Sequence, residues 1–412
     1  MVLDKKSLFD RCHVNTNEDG DTFVGVKADS NDVVVYFPLG YQLPNDEYSL
    51  KKDIQCLFRI LSRFTVKEDK LIHLKKHEAP QTVNFPIKAY LDIIEYYLST
   101  GNYYYEKEVQ YELDGNGRTD WGKTLKKVVP LVQGRSFIYT KNVARVNNPK
   151  DNNFITELNK VCVYESFEKL GWLYGGLTTQ KSTFTYDKKQ AIAILDIKIH
   201  QVNDQKIKDL FNAMKAMIKY MDERTVDKQF FFGTNRFEYV WQAMIDKVFG
   251  IANKDEYFPR AKWVVKHGSD KGVPRHTLEP DSIMVIGDKY YVIDAKYYRY
   301  GVTGKIDHLP NSADINKQIT YGEYIKNNKK PSNDCLYNAF LMPFNQVNNF
   351  FGTNEFMENI GEATGDWRNP PLENYEKIQG IVIDVRYLMY HLEGNHDAEK
   401  EKLAEVIEAG CK

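Results

Sequence analysis

The sequence predicts an α/β protein of the α+β kind, whose C-terminal half is a β-sheet flanked by helices. Three observations predict it. Apolar runs of strand composition, "AKWVVKHG", "HTLEPDSIMVI", "KYYVIDAKYY" and "KIQGIVIDVRYLM", recur after residue 260. Segments with helical spacing bracket them, "FFGTNRFEYVWQAMIDKVFG" before and "NSADINKQITYGEYIKN" after. The first 80 residues carry strand and helix patterns of their own.

In order, "TFVGVKA" and "DVVVYFPLGYQL" read as strands. "LKKDIQCLFRILSRF" reads as a helix with Ile54, Leu57, Ile60 and Leu61 on one side. These make a small α+β unit over 1–80. "HEAPQTVNFP" is a connection; Asn84 and Pro86 start, and Gly101 stops, the helix "IKAYLDIIEYYLST". "LDGNGRTDWGKTLKK" is a polar turn entering a helix or binding loop. "FITELNKVCVYESFEKLGWLYGG" is amphipathic, with Val161, Phe167 and Leu170 among its apolar positions, and "DQKIKDLFNAMKAMIKYMDER" is a further helix. Residues 81–225 therefore read as a mainly helical middle domain and 226–412 as a third. In that third domain Asn235 caps and Gly250 stops a helix with a Phe237, Trp241, Met244, Val248 stripe. In the next helix Ile315, Ile319 and Tyr324 face inward.

Composition narrows the function. A net charge of -1 and pI near 6.8 over 412 residues give no global field toward nucleic acid, so any polyanion site must be a local patch. Five scattered cysteines without a CxxC pair make neither a zinc site nor a disulfide framework, and suit a reducing cytosol. The start "MVLDKKSLFDR" lacks a signal region, and no apolar run reaches membrane-spanning length. A cytoplasmic protein with no membrane partner is expected. There is no phosphate-binding loop ("GVTGKID" is too short) and no Gly-x-Ser-x-Gly, while His391 and His396 lack a third ligand.

The chemistry concentrates in "EPDSIMVIGDKYYVIDAKYY". If Gly287-Asp288 closes a two-residue type II′ hairpin, Ile286 pairs with Lys289, Ile283 with Val292, and Asp281 with Asp294. Directly opposed residues have Cβ atoms about 5 Å apart. Strand alternation puts Lys296 on the face of Asp294. Two such carboxylates repel unless a cation takes an oxygen from each, and hard oxygen ligands favour magnesium, with manganese as a substitute. A lysine beside them orients a water or neutralises charge building on a phosphate, which describes phosphodiester hydrolysis. The bland alternative is a solvated Asp–Lys pair at a strand end.

Glu238, on the first turn of the preceding helix, is a candidate third carboxylate, although Asn235-x-x-Glu238 also has capping-box spacing. Gln318 and Tyr321 share a helical face and are candidate phosphate or substrate contacts. Lys262, Lys266, Lys271 and Arg275 before the hairpin, and Arg299 and Lys305 after it amid tyrosines, suit a nucleic-acid backbone.

"PDSIMV" and "YVIDAK" together resemble the PD-(D/E)xK nuclease signature. With "FEYVWQAMI", "LPNSADINKQITYGEYI", "VVVYFPLGY" and "ITELNKVCVYESFEKLGWL", most of the chain resembles the LlaJI-type restriction endonuclease family, a group similar to the McrC nuclease subunit of the McrBC system. The resemblance implies a PD-(D/E)xK core with a mixed central sheet. It implies a magnesium-dependent endonuclease cutting double-stranded DNA in a bacterial restriction–modification system that defends against phage. Asp281, Asp294 and Glu238 would be metal ligands, Lys296 the catalytic lysine, and Gln318 a contact from the helix after the core. Tyr321 fits less closely, because the related pattern spaces Gln and Tyr by four, where this chain has Gly322. The implied partners are a separate McrB-like AAA+ GTPase, for which the unit over 1–80 would be the candidate docking region, and a cognate DNA methyltransferase. The alternative is a non-catalytic DNA-binding or assembly subunit with a relic nuclease core.

Overall fold

The structure, a computed structural model, describes residues 7–28, 33–72, 86–150, 153–175, 177, 179–222, 230–262, 267, 274–368 and 370–412. Contacts divide the chain into two units. One spans Pro86–Asp227; the other joins Val2–Phe85 to Lys228–Lys412.

The joined unit begins with β1 (Cys12–Val14), β2 (Val24–Ala28), β3 (Val33–Phe37) and α1 (Glu47–Ile72). Ile54, Leu57, Ile60 and Leu61 of α1 are buried, as their helical spacing requires. Cys56 is half-buried and the other four cysteines are likewise unbridged.

In the unit over Pro86–Asp227, α2 (Ile87–Thr100) ends where Gly101 takes a left-handed φ of 67° and donates its N–H to Tyr97. Asn84, read as part of its start, lies outside the described residues. β4 (Glu106–Leu113), β5 (Arg118–Thr119), α3 (Trp121–Lys127), β6 (Leu131–Gln133), β7 (Ser136–Ile138) and β8 (Val143–Lys150) follow. They form a sheet ordered β4-β8-β5 and a separate β6-β7 pair. Asp120 caps α3 by accepting the Lys123 N–H at 2.9 Å. The helices α4 (Phe154–Leu170), α5 (Lys188–Gln201) and α6 (Gln205–Asp222) complete this unit. In α4 the stripe runs through Cys162, Val163, Phe167 and Leu170; Val161, expected there, is only half-buried.

The chain then returns to the joined unit through β9 (Phe230–Thr234), which pairs antiparallel with β2 to give the order β1-β3-β2-β9. By spacing alone these residues read as the approach to a helix. Gly25 stands opposite Gly233 in this ladder, and a Cβ on Gly25 would lie 2.1 Å from the Phe232 carbonyl oxygen. Only glycine allows that approach at φ 143°.

Next come α7 (Phe237–Phe249), β10 (Arg260–Lys262), β11 (Pro274–Thr277), β12 (Ser282–Ile286), β13 (Lys289–Ala295), α8 (Tyr300–Thr303) and α9 (Ser312–Lys329). The chain ends with β14 (Leu336–Phe344), β15 (Met357–Ala363), β16 (Ile378–Asp384), α10 (Val385–Tyr390) and α11 (Asp397–Gly410). The run "HTLEPDSIMVI" is two strands, not one, broken around Pro280. Asn235 does not cap α7: the N-cap is Arg236, with no side-chain cap, and its N–H is taken by the Thr234 hydroxyl at 2.9 Å.

The main sheet is mixed, ordered β12-β13-β14-β16-β15, with β13, β14 and β16 parallel and the two edge strands antiparallel. Helices cover both faces. Ile319, Tyr321 and Ile325 of α9 pack with Ile283, Val292 and Phe340 on one face. On the other, the Tyr291 hydroxyl donates to Glu408 of α11 at 2.5 Å. All nine residues of the central strand β14 are buried. Among the described residues no helix is long and apolar enough to cross a membrane.

Candidate active site

The β12–β13 hairpin pairs Ile286 with Lys289 and Ile283 with Val292, and its ladder ends at Ser282 with Ile293. Gly287 has φ 60° while Asp288 stays out of the left-handed region, the combination of a type II′ turn. One step beyond the ladder stand Asp281 and Asp294. Asp281 has already left the strand, and its carboxylate turns in to accept the Ala295 N–H at 2.8 Å.

Four side chains fix this approach. Gln242, on α7, donates to the other Asp281 oxygen at 2.5 Å. Lys254 donates to the Asp281 carbonyl at 2.5 Å while paired with Asp246 at 2.8 Å. The Tyr321 hydroxyl donates to the carbonyl of Glu279 at 3.0 Å, pinning the segment that leads into Asp281.

Asp294 is 2% exposed. Burial, then the charge of Asp294, then the contact between the two side chains hold the Asp281 carboxyl well above the usual carboxylate range. The Ala295 N–H and Lys296 oppose this without reversing it. Two unit charges about 4 Å apart repel by roughly 4 kcal/mol at an effective dielectric near 20, so such a pair does not ionise fully without a compensating cation.

Lys296 is the protein's own compensation. Its Nζ stands 2.7 Å from Asp294 Oδ2 and donates to Asp314 Oδ1 at 2.8 Å. Both contacts have ion-pair separation, and both partners are largely buried. Burial pulls the lysine toward neutrality, but Asp294 and Asp314 outweigh it and hold the ammonium above its ordinary range. Asp314 opposes its own burial through Lys296 and sits below the usual range. Asp294 and Asp314 thus share one ammonium, and the Asp281 carboxyl stands beside Asp294.

The structure brings Asp281, Asp294 and Lys296 together, with Tyr321 behind the segment that leads into them. Glu238 is exposed on α7, one turn before Gln242. Gln318 is fully buried and donates to the Val292 carbonyl at 2.8 Å, which gives it no surface for a substrate contact. Tyr321 is also fully buried and acts through Glu279. Arg299 pairs with Glu18, and Lys305 is exposed. Lys262 and Arg275 lie on β10 and β11, but their side chains, and all of Lys266 and Lys271, fall outside the described residues.

Asp314 and Gln242 were not singled out from the sequence. Asp314 had a signal: Asn311-Ser-Ala-Asp314 has the spacing of a capping box, and that box forms at the start of α9. Gln242 follows Glu238 by one helical turn and so shares its face.

The profile of the family described as LlaJI restriction endonuclease matches residues 23–360. The chain is 26% identical over 361 residues to the type II restriction enzyme BsuMI component YdjA of Bacillus subtilis (strain 168), a match spanning 81% of this chain and 75% of that protein. A solved half-complex of Thermococcus gammatolerans McrB AAA+ hexamers with bound McrC aligns over 94% of this chain and 83% of the matched chain, at 12% identity and a TM-score of 0.39.

Proposed function

This chain belongs to the LlaJI restriction endonuclease family, and from that premise we propose that it is a magnesium-dependent endonuclease hydrolysing phosphodiester bonds of double-stranded DNA. In this reading the β12–β13 hairpin and α9 are the core of a PD-(D/E)xK nuclease. One observation carries the reading: two carboxylates, Asp281 and Asp294, meet at the end of a hairpin with Lys296 against one of them.

The residues fit a hard divalent cation. The donor set is carboxylate oxygen, from two acids brought side by side at the end of one hairpin. Asp281 and Asp294 would hold magnesium, or manganese in its place. Such an ion, when bound, lowers the pKa of water and offsets charge developing on a phosphate. The remaining work falls to the chain itself. Gln242 and the Ala295 N–H orient Asp281. Asp294 and then Asp314 hold Lys296 protonated, and the bond to Asp314 fixes it, so its ammonium can neutralise charge at the phosphate and order the attacking water.

The relative's description as one component of a restriction enzyme supports assembly with other subunits. We take these to be an AAA+ GTPase of the McrB kind and a cognate methyltransferase. The test is plasmid cleavage by the purified full chain in magnesium, with and without its companion subunits and GTP. Cutting that disappears on chelation supports the proposal. Binding to DNA without cutting under every condition, companions included, reduces the chain to an assembly subunit.

A further inference from the structure

Lys296 is the first residue past β13, so its place depends on what holds the chain there. Its N–H donates to the Leu341 carbonyl at 2.8 Å, an oxygen that also accepts the Trp241 Nε1–H at 3.2 Å. Its own carbonyl accepts the Tyr298 N–H at 2.8 Å, closing a three-residue turn with Tyr297 at the centre. The Lys296 side chain runs to Asp314 on α9, and strand alternation sends that of Tyr297 to the other face. There the Tyr297 ring packs against Phe237 and Trp241 of α7, with centroids 5.3 and 6.2 Å away. The same helix carries Gln242, which orients Asp281.

The N-terminal strands hold this turn from outside the main sheet. The Tyr297 hydroxyl accepts the Leu39 N–H at 2.6 Å, and the Tyr297 carbonyl accepts from Asn17 Nδ2 at 3.3 Å. Two residues on, Arg299 pairs with Glu18. Asn17 and Glu18 lie in the loop after β1, and Leu39 in the turn after β3. The hydroxyl contact is selective. Tyr297 is 5% exposed and Leu39 2%, so each would leave a desolvated polar group behind without the other. A ring needed only for packing would be served by phenylalanine, with no hydroxyl to bury. The hydroxyl instead fixes where the turn lies, and with it the point from which Lys296 reaches Asp294 and Asp314.

We propose that Tyr297 is a positioning residue for Lys296, and that the loops after β1 and β3 are, through Leu39 and Asn17, part of the support of the nuclease site. The proposal rests on the nuclease reading for the reaction that Lys296 serves, while the positioning itself is independent of it. Tyr297 acts through the turn that carries the lysine.

Two measurements on the full chain test it. The first is steady-state DNA cleavage in magnesium with companion subunits present. Tyr297→Phe keeps the ring and loses only the hydroxyl. Asn17→Gly loses the carboxamide, and glycine suits the Asn17 φ of 53°. Each should lower kcat roughly ten-fold with KM for DNA little changed. A tyrosine that served stability alone would lower the melting temperature and leave the kcat of the folded protein as it was. The second measurement needs no cutting. Lysines are acylated with an amine-reactive ester and read by peptide mass spectrometry, which reports how often Lys296 leaves its carboxylates. Loss of one hydrogen bond should speed Lys296 labelling roughly ten-fold, while Lys289, paired with Glu408 at the other end of β13, labels as in wild type. Unchanged kcat in both variants, unchanged labelling of Lys296, or equal rises at Lys296 and Lys289 would overturn the proposal. Selective labelling of Lys296 in the variants of a chain that cuts DNA under no condition supports the positioning and counts against the nuclease reading instead.

Discussion

Lys296 donates to Asp314 at 2.8 Å, tying the end of β13 to the first turn of α9. The same ammonium stands 2.7 Å from Asp294. Asp314 therefore sets where the lysine sits, and it is itself locked by the Asn311 capping box. We expect Asp314→Ala to lower kcat for DNA cleavage by roughly 10- to 100-fold, the usual effect of losing an orienting partner. KM should change little. Asp314→Glu should recover part of the loss. Equal kcat for wild type and Asp314→Ala would remove Asp314 from the site.

Asp294→Asn and Lys296→Gln keep the shape of the side chains while changing their charge. Each should cut kcat by at least roughly 100- to 1,000-fold, with DNA affinity, measured at fixed salt, nearly unchanged. Circular dichroism melting separates this from unfolding. A variant that folds as wild type and still cuts normally contradicts the assignment.

The raised Asp281 carboxyl gives a pH prediction with a definite sign. Its folded pKa lies above the unfolded value of about 3.9, so folding takes up a proton between the two. That contribution is present below the unfolded pKa and is lost as pH rises through the folded one. In metal-free buffer, Asp281→Asn should therefore gain stability relative to wild type as pH rises from about 4 toward neutrality. Urea unfolding of both proteins across that range reads it. A difference that stays flat with pH, or runs the other way, contradicts the coupling.

Gly322 on α9 is packed against the Tyr375 ring, where an added Cβ would lie 2.5 Å from a ring carbon. Gly322→Ala should destabilise the protein by about 1–3 kcal/mol in urea unfolding. The loss comes from overpacking the helix that carries Asp314 and Tyr321, so cleavage should weaken as well.

The hairpin was legible because its signals are local. An apolar run, Gly-Asp and a second apolar run specify turn, register and the opposition of Asp281 and Asp294. The amphipathic faces of α1 and α7 were equally plain, whereas α9 buries Gln318, Tyr321 and Ile325 with Ile319 and leaves Ile315 and Tyr324 half-buried. What the sequence hid is non-local. The central strand β14, "LYNAFLMPF", is buried on both faces and shows no alternation. β9 becomes a strand only because β2, some two hundred residues earlier, accepts it as a partner. Gln318 looked like a substrate contact because its helix does reach the site. Burial instead turns its amide onto Val292, since helical spacing states the face but not the depth. Asp314 was overlooked because an acid on a helix's first turn already has a local explanation.

The central claim is that Asp281 and Asp294 share one hard divalent cation. Manganese binding followed by electron paramagnetic resonance tests it most directly, comparing the full wild-type chain with the Asp281→Asn, Asp294→Asn double variant. We predict saturable binding by wild type that magnesium displaces, and no such binding by the double variant. Undiminished manganese binding by a folded double variant would place the ion elsewhere and contradict the account.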